Sequence, residues 1–333
     1  MTAKKNNAKE DVQVLKIPRL SILLGIIVLI ALIVFVIIHV GDTRRFLTLI
    51  SKAKPIWILL VIGLQVTTYL CVGIIWLQIT RVAKYKVRID ALARLSVEKL
   101  SIDQLVPALG LSGNVMVYRA MKRLQLPKSL AMEAILTNIL AHYVAFALVT
   151  LSSLLILWRL HHITPLILTV VGIFTIILIA VPLIIILLIH NKDKSLPPWL
   201  LRIKLMGKLK KVFQSVSAKE VYSPKLLAFA SLFNILIFLL DSGSLWAVLR
   251  SLGVEVNLIT PFIAIVLASI AATLSALPGG LGGFEAGSVA ALTLIGVPVE
   301  AALTATIIFR GFSLWLPLLP GLYFARKDVT VKF

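Results

Sequence analysis

Acids are scarce in this chain: 14 Asp and Glu stand against 34 Lys and Arg, a formal charge of +20. Cysteine occurs once, at Cys71, so neither an intrachain disulfide nor a cysteine-built metal site can form. The histidines, at 39, 142, 161, 162 and 190, never fall at H-E-x-x-H spacing. There is no G-x-S-x-G elbow and no phosphate-cradling Walker loop, so the best-known hydrolase, metalloprotease and nucleotide-binding signatures are missing. Long polar stretches are missing too. The longest hydrophilic loop, 191–223, is far shorter than a catalytic domain. The expectation is a protein that is not an enzyme and needs no cofactor and no metal.

Apolar residues are what the chain has. They make up 59% of 333 residues, and the mean hydropathy is +1.02. A water-soluble domain of this size does not have that composition, so the class is all-α integral membrane protein. In a membrane protein the basic excess meets anionic lipid at the cytoplasmic surface, and nucleic acid is not the expected partner.

A helix needs about 20 apolar residues to cross the hydrocarbon layer. Six runs meet that length: 20–40, 55–79, 129–158, 165–190, 224–250 and 299–325. The first follows a basic start and lacks a small-residue cleavage site, so it reads as an uncleaved anchor. Two more regions, 89–125 and 258–296, are broken: the first carries "LVPALGLSGN", the second "SALPGGLGGFEAG". The 191–223 loop is strongly basic and is assigned to the cytoplasm. Counting outward puts both termini there, provided each broken region enters and leaves on one side. The basic segment 41–54 then lies outside, against the rule. Within 200–213, Leu201, Leu205, Leu209 and Phe213 recur every four residues between basic ones. That pattern suits either a surface helix on anionic lipid or a solvated basic loop.

The chain repeats itself. "VPALGLSGN" at 106–114 parallels "LPGGLGGFE" at 277–285, each followed by a second proline, Pro127 and Pro298. Pro55 and Pro224 each open a span with a late tryptophan, Trp76 and Trp246. Repeat one is thus 55–158 and repeat two 224–325, entering from opposite sides. Six transmembrane helices plus two re-entrant hairpins in two inverted repeats follow, a pattern that points to transport. The domain division is a cytoplasmic segment 1–19, one membrane domain 20–325 containing the linker 191–223, and a tail 326–333.

The breaks have a physical reading. Proline lacks the N–H a helix needs, and glycine takes backbone conformations other residues avoid. A helix that stops at Pro278 and restarts near Gly283 exposes backbone groups that cannot face lipid. The new helix presents N–H groups to the break, where an anionic headgroup fits. Ala264, Ala268, Ala272 and Ala276, four apart, give the preceding half-helix a face for close packing.

Arg310 lies roughly 16 Å along the last span, near the midplane, so it needs a partner. Glu285 and Asp241 are the candidates. One reading is a structural Arg–Glu pair, with Glu285 as a helix-start acid. The other has Arg310 binding a lipid phosphate. Gly280, Gly282 and Gly283 in the second break, and Gly110, Gly113 and Arg119 in the first, complete the candidate substrate site. Glu133, Asn138 and His142 share a helical spacing and either line the same cavity or bond between helices.

"LPGGLGGFEAG" followed by "FRGFSLWLPLLPG", with "PALGLSGN…YRAMKRLQLP" earlier, resembles the membrane domain of lysylphosphatidylglycerol synthases and their stand-alone relatives. The resemblance covers about 20–325. It implies inverted repeats with re-entrant helices and the movement of aminoacylated phosphatidylglycerol between leaflets. Archaeal relatives are linked to lipid-linked glycan assembly. Glu285 and Arg310 match that family's acid and arginine, while Asn114 stands where many relatives carry Glu. The aminoacyl-transferase domain of the full synthase is missing, so a separate lipid-modifying transferase is an expected partner. The resulting expectation is translocation of an anionic or aminoacylated phospholipid, or a lipid-linked precursor, in the cell membrane. Ion-coupled carriage of a small solute and a non-catalytic subunit of a lipid- or glycan-modifying system are the rivals. Oligomeric state stays open.

Overall fold

The computed structural model describes residues 55–105, 111–191, 221, 223–275, 277–317 and 320. The apolar run 20–40, most of the basic linker with its 200–213 pattern, Gly110 and the C-terminal tail lie outside the described residues.

Among the described residues there are nine α-helices and no strands. They are α1 Pro55–Val82, α2 Ile89–Leu105, α3 Leu111–Arg123, α4 Lys128–Arg159 and α5 Pro165–His190, then α6 Pro224–Ser251, α7 Ile259–Ser275, α8 Gly283–Leu294 and α9 Val299–Arg310. Four of them, α1, α4, α5 and α6, are long and apolar enough to span a membrane. Their outward surfaces are apolar; Leu166 is 71% exposed and Ile176 68%. In water such a surface would aggregate, whereas in lipid it is the matched solvent.

Helix starts follow local chemistry. Pro165 and Pro224 sit in first turns, where a missing N–H costs nothing. Thr164 caps α5 by accepting from the Ile167 amide at 3.3 Å. Several hydroxyls inside the spans return to carbonyls four residues back, as Thr80 does to Trp76 and Ser242 to Phe238. That keeps these hydroxyls satisfied without water.

The order of elements from α6 onward matches the order from α1 onward. Helices of 28, 17 and 13 residues (α1, α2, α3) correspond to 28, 17 and 12 (α6, α7, α8). In each half the long helix packs on the first half-helix, the two half-helices pack together, and the second packs on the helix that follows. The two long helices also pack on each other, antiparallel. Trp57 meets Trp246 edge-on at 5.3 Å, and Gln65 meets Asp241 and Ser244. Each lends its start to the other half's core: Val61 joins the cluster around Leu249 and Ile263, Leu226 and Ala230 the one around Trp76 and Met121. The 278–280 turn of the second break packs on α2 of the first half.

The run 299–325 departs from one regular span. α-Geometry ends at Arg310, and Gly311–Trp315 forms a π-type turn.

Candidate functional site

The second break is built from glycine. α7 ends at Ser275, Pro278–Gly280 make one tight turn, and α8 starts at Gly283. Gly279, Gly280 and Gly282 have φ of 57°, 65° and 79°, the left-handed region where a side chain is strained. Gly283 and Gly287 serve another purpose. A Cβ on Gly283 would lie 2.7 Å from the Ala271 carbonyl oxygen, and one on Gly287 would lie 2.8 Å from Ala271 Cβ and 3.0 Å from Ala268 Cα. Four residues apart, these glycines let α8 lie directly on the small-residue face of α7, as close helix contact in membranes requires. Of the alanine stripe read from the sequence, Ala264 and Ala268 are fully buried and Ala272 touches the position a Cβ on Gly280 would take; Ala276 lies outside the described residues.

The break brings its carbonyls and amides to Arg310. The Arg310 Nε donates to Glu285 Oε1 at 2.8 Å, and one Nη donates to the Gly279 carbonyl at 2.6 Å. The other Glu285 oxygen, Oε2, accepts from the Gly282 amide at 2.6 Å. Glu285 therefore spans the loop and the arginine, and both sequence readings of it hold at once: it is the first-turn acid of α8 and the partner of Arg310. The guanidinium also lies 4.8 Å over the Phe284 ring, which stacks on Phe309. Cation–π contact adds to the ion pair where water is scarce.

The pair is buried, with 13% of the Arg310 side chain and 8% of Glu285 exposed. Burial of charge is costly, so geometry has to repay it. It does so incompletely for arginine. A guanidinium has five N–H donors, and two meet acceptors among the described residues. The other three have no partner among those residues.

Asp241 stands nearby on α6. It takes one hydrogen bond, from Gln65 Nε2 at 3.0 Å, and Gln65 also donates to Ser244 Oγ at 3.0 Å. Among the described residues Asp241 has no ion pair within 4.0 Å. Sequence reasoning offered Glu285 and Asp241 as partners for Arg310, and the structure pairs Arg310 with Glu285 and Asp241 with Gln65.

Among the described residues Arg119 has no ion pair with them; it is exposed on α3, and Gly113 is buried at the start of α3. Glu133, Asn138 and His142 on α4 form a separate polar set. His142 Nδ1 lies 3.2 Å from Asn234 Oδ1, and Asn234 donates to Asn138 at 3.5 Å. This bonds α4 to α6, the interhelical alternative raised from the sequence. Glu133 is buried beside a small apolar cleft lined by Ile79, Val82 and Leu226.

Sequence reasoning missed Gln65, Phe284, Gly287 and Tyr69, whose hydroxyl donates to the Phe312 carbonyl at 3.1 Å. Gly287 was legible, since Gly283 and Gly287 stand four apart. Gln65 carried the signal of an amide inside an apolar run, but nothing in the sequence paired it with Asp241.

Comparison with curated proteins gives no match. The profile of the lysylphosphatidylglycerol synthase TM region matches residues 22–321, nearly the whole chain. That match takes in both breaks, Glu285 and Arg310, and the chain belongs to the lysylphosphatidylglycerol synthase transmembrane-region family.

Proposed function

We propose that this chain moves an anionic or aminoacylated phospholipid, or a lipid-linked precursor, between leaflets, with the headgroup phosphate on Arg310. The observation that carries this reading is the arginine itself. It is buried, held flat by Glu285, Gly279 and Phe284, and three of its N–H donors have no partner among the described residues. A planar fork of that kind matches phosphate oxygens. Glu285 already takes the Gly282 amide, so the bare helix N-terminus is not the principal anion seat; Arg310 is. Family membership supports a role in lipid modification or movement, and a membrane domain without hydrolase or transferase motifs suits movement rather than synthesis.

The antiparallel packing of α1 on α6 supports inverted repeats, because equivalent helices of such repeats run in opposite senses. On this reading the broken helices are re-entrant hairpins opening to opposite sides, in the cell membrane, with both termini cytoplasmic. Ser112→Cys and Leu281→Cys, each in a Cys71→Ala background, should react with membrane-impermeant thiol reagents from opposite faces. Labelling of both from one face is the result that excludes the inversion.

The direct test of the function is headgroup movement in reconstituted vesicles, read by quenching of a fluorescent phosphatidylglycerol. Arg310→Lys keeps the charge and loses the fork, and movement should fall roughly tenfold or more at equal folded protein. Unchanged movement would remove Arg310 from the headgroup site. A second reading, an ion-coupled carrier of a small solute, is favoured by one observation: Asp241 is an intramembrane acid without an ion pair among the described residues. It predicts solute uptake, dependent on an ion gradient and lost in Asp241→Asn, in vesicles that move no lipid.

A further inference from the structure

The π-type turn directly after Arg310 leaves a backbone debt that another helix settles. In a regular helix the Leu316 amide would donate to Phe312. Here it donates one residue further back, to the Gly311 carbonyl. The next donor that could reach Phe312 in the widened turn belongs to residue 317, which is proline and has no N–H. The Phe312 carbonyl is therefore orphaned by two local facts, the widened turn and Pro317. A bare carbonyl inside a membrane bundle is costly. Tyr69, on α1 in the first repeat, supplies the missing donor at 3.1 Å. Four residues before Tyr69 on the same helix, Gln65 holds Asp241. Beyond the turn, Ser101 on α2 donates to the Pro317 carbonyl at 2.7 Å. The segment that follows Arg310 is thus clamped at two carbonyls by side chains of the first repeat.

We propose that Tyr69 is a positioning residue: its hydroxyl holds the widened turn and so sets the direction of Arg310 toward Glu285 and Gly279. Single widened turns in helices recur at functional sites because one extra residue re-aims everything on one side of it. Without the Tyr69 hydroxyl the turn gains by closing to α-geometry, since the Leu316 amide can then satisfy Phe312. Closing rotates the helix before the turn against the helix after it. Arg310 lies at that joint, so its aim changes while the ion-pair residues stay unaltered. This makes α1 of the first repeat a controller of the arginine in the second.

The inference rests on the lipid-movement reading for its rate assay but not for its structural assay. Three reconstituted full-length proteins decide it: Tyr69→Phe, Pro317→Ala and the double variant. Each is measured for lipid movement and for amide hydrogen exchange across 309–317. Tyr69→Phe removes one buried hydrogen bond and should cut movement per folded molecule roughly threefold to tenfold, with a changed exchange pattern at the turn. Pro317→Ala restores an N–H that can reach Phe312 in the widened turn, so the double variant should recover both readouts. A general packing role for Tyr69 would leave the double variant as impaired as the single one, and that result overturns the proposal. Wild-type exchange in Tyr69→Phe overturns it as well. Altered exchange rescued by Pro317→Ala, in a protein that moves no lipid even as wild type, would uphold the clamp and sink the lipid reading alone.

Discussion

Arg310→Ala should stop lipid movement and cost the fold about 3–5 kcal/mol, the range for removing one partner of a buried ion pair. The loss has three parts in this structure. Glu285 keeps the Gly282 amide but loses its counter-charge. The Gly279 carbonyl loses its donor from Arg310. The Phe284 face loses its cation. Adding Glu285→Gln removes the stranded charge, and the amide oxygen can still accept from Gly282. The double variant should therefore regain most of the thermal stability. If Arg310 holds the headgroup, it should not regain movement. A pair that only braces the break predicts recovery of both. Thermal unfolding and headgroup quenching on wild type, the two single variants and the double variant give that answer, and full movement in the double variant would end the headgroup role.

What could be read from sequence here was whatever lipid forces into local pattern. Run length gave α1, α4, α5 and α6, because a span must be long and apolar. Proline and glycine gave the second break almost to the residue, with α7 ending at Ser275 and α8 starting at Gly283. The Arg310–Glu285 pair was legible for a related reason: an intramembrane charge demands a partner, and few candidates exist. Contacts across helices left no such mark. Gln65 on Asp241, Tyr69 on Phe312 and Ser101 on Pro317 join residues far apart in the chain. Their types are ordinary in apolar helices, and only the antiparallel seating of α1 on α6 and the clamp on 311–317 assign them partners. The widened turn escaped for a different reason. "FRGFSLWLPLLPG" contains the proline that makes it costly but nothing that says which carbonyl another helix would satisfy.

Gly280 and Gly282 of the second break should separate by mechanism under alanine substitution, with Gly280 the more damaging of the two. Gly282 has φ of 79° and open space where a Cβ would sit, so Gly282→Ala carries a backbone penalty alone, on the order of 1 kcal/mol. Gly280→Ala carries the same kind of penalty at φ of 65° and also drives a Cβ to within 2.5 Å of Ala272 Cβ. Overpacking of that sort adds about 1–3 kcal/mol. The turn cannot relax outward freely, because the Gly279 carbonyl beside it is bound to Arg310. Gly280→Ala should therefore lower thermal stability more than Gly282→Ala and should misplace the arginine, reducing lipid movement beyond the loss of folded protein. Ala272→Gly removes the opposing methyl. Relative to Ala272→Gly alone, which carries its own helix penalty of about 1 kcal/mol, adding Gly280→Ala should then cost only the backbone part, close to the loss in Gly282→Ala. Equal losses for Gly280→Ala and Gly282→Ala would mean that the contact with α7 carries no weight and that backbone freedom alone explains the glycines. Failure of Ala272→Gly to rescue, with unequal single losses, would place the clash elsewhere. Recovery of stability without recovery of movement would show that the position of the Gly279 carbonyl, and through it Arg310, tolerates less displacement than the fold does.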